Sequence, residues 1–181
     1  MTTSWRDGGW SALSHRRVDL AGEPEEPMLL QWRGSLESLR AALAARGWKV
    51  APEWSIEALN GLAFPNTPAE ALPAAPKFHD GRREVLTALY PFDKGQGRLV
   101  LRVWPETVRD PDGKSESLYV GAVVRERVEH LFNQLSIPLR AGRRHCDAES
   151  LLASLPRATV VGEVRGGPAG ACGGRTVLAG E

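Results

Sequence analysis

Between Val85 and Arg125 three apolar runs of strand length alternate with clusters of turn residues. The first is VLTALYPF (Val85–Phe92), followed by Asp93-Lys94-Gly95-Gln96-Gly97. The second, RLVLRVW (Arg98–Trp104), leads to the turn signal Asp110-Pro111-Asp112-Gly113, and the third is SLYVGAVVR (Ser117–Arg125). Short apolar runs bounded by Gly, Pro and Asp predict an antiparallel three-stranded meander. In the middle run Leu99, Leu101 and Val103 share one face, while Val100, Arg102 and Trp104 share the other, because successive strand residues point to opposite sides. One face is apolar. The other sets an arginine beside a tryptophan, which reads as the finish of a solvent-facing sheet or as a recognition surface, with Arg125 and Tyr119 on the same sheet.

The flanking patterns supply the remaining elements. Residues 1–26, with Trp5 and Trp10 among glycines and a basic-then-acidic run, read as an extended arm pinned by its tryptophans. PMLLQWRG (Pro27–Gly34) predicts the first strand. Ser35 caps a helix to Arg46 with Glu37 in its first turn and Leu36, Leu39 and Leu43 as its stripe; Gly47 ends it and Trp48 covers the end. Ser55–Ala63 predicts a shorter helix. Four prolines between Pro65 and Pro76 exclude regular structure and predict a surface loop leading to Lys77-Phe78-His79-Asp80-Gly81-Arg82-Arg83. Val128, Leu131, Phe132 and Leu135 have helical spacing, so Glu126–Leu135 predicts a helix that Ile137-Pro138 ends. Asp147–Leu155 predicts another helix capped by Asp147, Thr159–Val164 a strand, and Arg175–Leu178 a last edge strand in a loosely held Gly-rich end.

The sum is an α+β domain: an antiparallel sheet built on the meander, with helices packed mainly on one face. The expected organisation is an arm (1–26), a single domain (27–165) and a Gly-rich tail (166–181).

Composition narrows the function classes. A chain of 181 residues with 42% hydrophobic and 25% charged residues is ordinary for one soluble domain. A net charge of +1 gives no drive toward nucleic acid, and no nucleic-acid partner is expected. Glu23, Glu25 and Glu26 form an acidic patch and Arg140, Arg143 and Arg144 a basic one, both read as solvated faces. Two cysteines, Cys146 and Cys172, make no disulfide framework and point to a reducing, cytoplasmic setting. Neither a signal peptide nor a membrane-spanning run is seen.

Candidate chemistry concentrates at one place. His79-Asp80-Gly81-Arg82 forms the densest polar cluster, where Asp80-Gly81 suits a tight turn and the imidazole and guanidinium suit contact with an anion. His15, His130 and His145-Cys146-Asp147 lack the spacing of a structural zinc site, so no metal and no cofactor is expected. No nucleophile elbow, phosphate loop or dinucleotide fingerprint occurs, and GACGGRT (Gly170–Thr176) lacks the lysine and helix of a phosphate loop.

RRVDLAGEPEEPMLLQWRG (Arg16–Gly34), a helix ending in Gly47-Trp48, LPAAPKFHDGRREVLTALYP (Leu72–Pro91), RLVLRVWP (Arg98–Pro105) and LYVGAV (Leu118–Val123) together resemble the LssY C-terminal domain family. The resemblance covers residues 5–125. It departs at Leu72-Pro73-Ala74-Ala75-Pro76, where the family has an LPxLP-like segment, and at Val103, where the family has leucine. In relatives the domain often follows membrane-embedded, lipid-phosphatase-like segments and is linked by name to secretion loci. The resemblance therefore implies a membrane-protein partner or a lipid-phosphate ligand, and brings no activity with it.

Two functions follow for the same residues. One is a non-catalytic accessory or binding module, peripheral to a membrane, whose pocket of His79, Asp80, Arg82, Arg102 and Trp104 takes an anionic, phosphate-bearing ligand. The other is a hydrolase or transferase acting on a phosphorylated substrate, with His79 as acid/base and Arg82 stabilising charge. A third, a structural partner in a membrane complex, requires an exposed apolar patch.

Overall fold

A computed structural model describes residues 5–64, 67–109, 115–131, 135–141, 146–162 and 175–181. The architecture is mixed α/β, mostly strand. Its elements are β1 (Arg16–Val18), β2 (Pro24–Arg33), α1 (Leu36–Ala44), β3 (Lys49–Val50), α2 (Ile56–Leu62), β4 (Phe78–His79), β5 (Arg82–Arg83), β6 (Leu86–Phe92), β7 (Gly97–Arg109), β8 (Ser115–Leu131), β9 (Leu135–Arg140), α3 (Cys146–Ala153), β10 (Thr159–Val161) and β11 (Thr176–Gly180). Short 3-10 turns at Trp5–Asp7, Gly9–Ala12, Ala69–Ala71 and Asp93–Gly95 join them.

One large sheet runs in the order β10-β11-β2-β8-β7-β6-β3, with β1 on β2 and β9 on β8, while β4 and β5 form a separate two-stranded ribbon. Strands β6, β7 and β8 pair antiparallel in chain order, β7 with β8 from Gly97↔Arg127 to Arg109↔Ser115. The sheet is nonetheless mixed, which corrects the expectation of an antiparallel one: β11 runs parallel to β2, from Val177↔Leu30 to Gly180↔Arg33. It is also an interior strand, not an edge, because β10 pairs on its far side. All five of its residues are buried. The buried hydrophobic pairing partners on β2, Leu30 and Trp32, explain why this short segment is drawn in.

The second correction is Glu126–Leu135. The described part of that segment lies in β8 and β9, and Val128 pairs with Pro138 and Leu131 with Leu135. Helical spacing of four apolar residues lost to cross-strand pairing, since the β-branched valines of β8 already extend the longest strand of the sheet. Pro138 is tolerated because β9 pairs only with β8 and needs no second ladder.

The helices follow local chemistry closely. Ser35 and Ser55 accept the amide N–H groups of Ser38 and Ala58, capping α1 and α2. Leu39 and Leu43 of α1 and Ala148 and Leu152 of α3 join one core with Leu99, Leu101, Val103, Leu86, Trp32 and Val177. Trp48 sits over the end of α1, its ring 5.6 Å from that of Tyr90. Asp147 lies inside the first turn of α3 instead of capping it.

The opposite sheet face is covered without helices. The N-terminal residues Trp5 and Leu13 pack there on Met28, Trp104, Leu118, Val120, Ala122 and Leu178, with Trp5 Nε1 donating to Gln31 Oε1 at 2.9 Å. The proline-rich segment covers the rest through Ala74, against Leu89 and Val100. Tyr119 and Arg125 belong to the helix-covered side, where Tyr119 joins the core and Arg125 stacks on Phe92 at 4.3 Å. The Arg102 and Trp104 face is thus not solvent-facing.

At Gly180 a Cβ atom would lie 2.4 Å from the carbonyl oxygen of Arg33. Replacing Gly180 by alanine forces β11 away from β2. A loss of about 1–3 kcal/mol in unfolding free energy is expected in urea titration.

Candidate functional site

His79, at the end of β4, turns inward beneath the cover and is only 4% exposed. Its ring stands edge-on to Trp104 of β7, centroids 5.8 Å apart. The backbone N–H of Val18 donates to Nδ1 at 3.0 Å, so in the neutral ring the proton resides on Nε2. Nε2 in turn lies 3.4 Å from Glu106 Oε1. That distance is long for a hydrogen bond and Nε2 lacks a well-formed one, so we read the contact as mainly electrostatic. Ser14 donates its hydroxyl to the same Glu106 oxygen at 3.1 Å. The His79 N–H is the main influence holding the Glu106 carboxyl below its ordinary range; partial burial opposes it, and Ser14 and the charges of His79 and Arg82 add to it.

Asp80 and Gly81, with φ of 48° and 73°, make the two-residue turn that joins β4 to β5. Paired positive φ angles are what a tight hairpin requires. Asp80 and Arg82 are consequently exposed, while His79, Arg102 and Trp104 are buried. The five expected site residues therefore separate into a surface turn and a closed interior cluster.

Arg102 illustrates the interior chemistry. It is 2% exposed, donates through Nη2 to the carbonyl of Ala75 at 2.9 Å and lies 3.7 Å from Glu126 Oε1. Burial pulls its guanidinium pKa down, against the attraction of Glu126, Glu84 and Glu26. It does not stack on Trp104; among the described residues the cations over rings are Arg6 on Trp5 and Arg125 on Phe92. A void between Arg17, Glu26, Lys77, Arg102, Trp104, Ala122 and Val124 is too narrow to admit a water molecule. Without a cavity, this cluster is closed to ligands as it stands.

Sequence reasoning passed over the residues that build that interior. Arg98, wholly buried, binds Glu126 through Nε (2.9 Å) and Nη2 (2.7 Å) and donates to the carbonyls of Ala69 (2.8 Å), Leu72 and Pro73 (3.1 Å). Arg17 pairs with Glu26 at 2.6 Å and donates to the carbonyl of Phe78 at 2.8 Å. Glu26 is 2% exposed, which corrects its reading as part of a solvated acidic face, and Arg140 approaches it to 3.7 Å. Burial raises the Glu26 carboxyl pKa, but the hydrogen bond and charge of Arg17 outweigh it and the net direction is down. The available signal was parity: Arg98 and Arg102 stand on the same face of an otherwise apolar strand. His145, Arg143, Arg144 and Cys172 lie outside the described residues, and no group of three metal ligands occurs among the described ones.

An open groove lies on the other side of the proline-rich segment. It measures about 490 Å³ and is lined by Arg40 of α1, Val50 of β3, Ala51–Trp54, Ala74 and Arg83–Thr87. Val50, Trp54 and Val85 are exposed there, and Trp54 Nε1 donates to the carbonyl of Ala74 at 2.9 Å. Arg40 and Arg83 are exposed, and neither side chain has a partner among the described residues.

Residues 10–149 match the family model described as the LssY C-terminus. The chain belongs to the LssY C-terminal family. The matched region of this LssY C-terminal chain contains the buried cluster and the groove, and stops before β10 and β11. No curated protein and no solved structure matches it. No helix among the described residues is long and apolar enough to cross a membrane.

Two outcomes test the interior network. Arg98→Met leaves Glu126 and three carbonyls without their buried partner, and a loss of about 3–5 kcal/mol in urea unfolding is expected. Glu26 and Glu106 both titrate below the ordinary value of 4.5 in the folded chain. Their contribution is therefore complete above that value and lost as pH falls through the lowered native pKa values. The urea midpoint should fall in that acid window, and Glu26→Gln should flatten the fall.

Proposed function

We propose that this LssY C-terminal chain is a non-catalytic binding module that takes an anionic, phosphate-bearing ligand in the groove between α1, the Val50–Trp54 segment and the Arg83–Thr87 segment. One contrast carries the reading. The buried arginines Arg17 and Arg98 are committed to carbonyls and carboxylates, whereas Arg40 and Arg83 face the same groove with no side-chain partner among the described residues. Guanidinium groups are the side chains best matched to phosphate oxygens. Val50, Trp54 and Val85 supply apolar surface beside them, so a phosphate attached to a hydrophobic body suits the two arginines and that surface, in a lining that also holds Glu53 and Glu84. A lipid phosphate offered by a membrane-associated partner has that chemistry.

The acid/base alternative lacks comparable support. Proton transfer needs a ring nitrogen within reach of substrate. His79 has Nδ1 engaged by Val18 and Nε2 turned to Glu106, beneath a closed cover.

Calorimetric titration with dihexanoyl phosphatidic acid tests the reading, with dihexanoyl phosphatidylcholine and inorganic phosphate as comparisons. Saturable binding of phosphatidic acid is expected, weakened about tenfold by Arg40→Ala and again by Arg83→Ala. Unchanged affinity in both variants overturns the groove assignment.

A further inference from the structure

Beside His79 Nε2, which faces Glu106 at 3.4 Å, two further buried N–H groups in the closed cluster have no acceptor. Among the described residues Arg102 Nε and Trp104 Nε1 are both buried and unpartnered, on side chains 2% and 1% exposed. They stand two residues apart on one face of β7, and both side chains line the void that is too narrow for water. Buried donors almost always find a partner, and solvent cannot supply one here. The cations Arg17, Lys77 and Arg102 line that void against the single carboxylate of Glu26, with Glu126 3.7 Å from Arg102. The position lacks an acceptor, preferably a negative one.

The element over it is weakly tied. Ala74–Lys77 has no place in a strand and contains Pro76, which has no N–H to donate. Its ties among the described residues are the packing of Ala74 on Leu89 and Val100 and four hydrogen-bond contacts: Trp54 Nε1 to the Ala74 carbonyl (2.9 Å), Arg102 Nη2 to the Ala75 carbonyl (2.9 Å), the Lys77 amide to Glu84 Oε2 (3.0 Å) and a long Glu84 amide contact to the Lys77 carbonyl (3.4 Å). A single carbonyl from Ala75 engages only one arm of the Arg102 fork. The neighbouring Nε–H, parallel to it, is left over.

We propose that Ala74–Lys77 is a displaceable strap over an oxyanion site, in which Arg102 Nε–H and Nη2–H bind one carboxylate or phosphate group side-on and Trp104 Nε1–H donates the third bond. An oxyanion replaces the Ala75 carbonyl and satisfies both orphaned donors at once, which no single carbonyl does. Arg102 and Trp104, which the sequence singled out, thereby acquire a ligand role that the closed arrangement conceals. The site lies behind the groove wall and does not depend on the groove being occupied.

Titration of the full chain with sodium phosphate, and separately with sodium acetate, at constant ionic strength tests it by ¹⁵N–¹H NMR. The Trp104 Nε1–H and Arg102 Nε–H resonances are expected to move downfield together and saturate, while hydrogen exchange of the Lys77 amide, which donates to Glu84 Oε2, accelerates about tenfold. Phosphate alone acting identifies a phosphate site, and acetate acting equally identifies a general oxyanion site; both support the proposal. Resonances of Trp104 and Arg102 that stay fixed with either anion overturn it. So does a change confined to Trp54, which reports an occupied groove beneath a closed strap. Arg102→Lys keeps the charge but removes the fork, and loss of the saturable Trp104 shift is expected in it.

Discussion

Arg98 carries a full positive charge with none of its surface open to water, and the tertiary structure is arranged to make that tolerable. A buried guanidinium needs a counter-charge and an acceptor for each N–H it presents. Glu126, across the β7–β8 ladder, supplies the charge. The carbonyls of Ala69, Leu72 and Pro73 supply acceptors. The converse matters as much. Those carbonyls belong to a segment whose prolines keep it out of any ladder; Ala69 also accepts the Leu72 amide, but without arginine donors the carbonyls of Leu72 and Pro73 would be buried unpaired. Arg102 and Arg17 repeat the device at Ala75 and Phe78. Side-chain donors from the sheet thus do for this segment what backbone pairing does elsewhere.

The two faces of the sheet are closed by different physics. Helices α1 and α3 close one by apolar packing, which needs only a hydrophobic stripe. The other is closed by the N-terminal residues and the arginine-held segment, where polar and apolar contacts alternate. At β3 the pairing is two residues long, and the groove with Arg40, Trp54 and Arg83 opens beside it. Among the described residues, the buried arginines inward of that boundary have protein partners, and Arg40 and Arg83 on its open side do not. The functional reading follows from this division of one residue type between structural and uncommitted roles.

Part of the site was visible in the chain. Asp80-Gly81 before a polar strand specified a hairpin turn, and strand parity set Arg102 and Trp104 on one side. The nearness of His79 to Trp104 also held, at 5.8 Å between rings. Depth was not visible. Parity says which residues share a face, but not whether that face meets water, and here a segment with no regular structure of its own covers it. Glu26 shows the same limit, because an acidic run reads as solvated until a particular arginine, nine residues earlier, is found against it.

Local chemistry alone determined the serine-capped helices, the strands from Leu86 through Val124, and the irregular course of the proline-rich segment, because caps, alternation and missing N–H groups act within a few residues. Only the tertiary structure decided that Glu126–Leu131 extends a strand, that Thr176–Gly180 enters the sheet beside β2, and which arginines are buried. Each of those outcomes depends on partners distant in the chain. Pairing energy, shared core and the need to neutralise a buried charge are properties of the assembled molecule, so no window of sequence contains them.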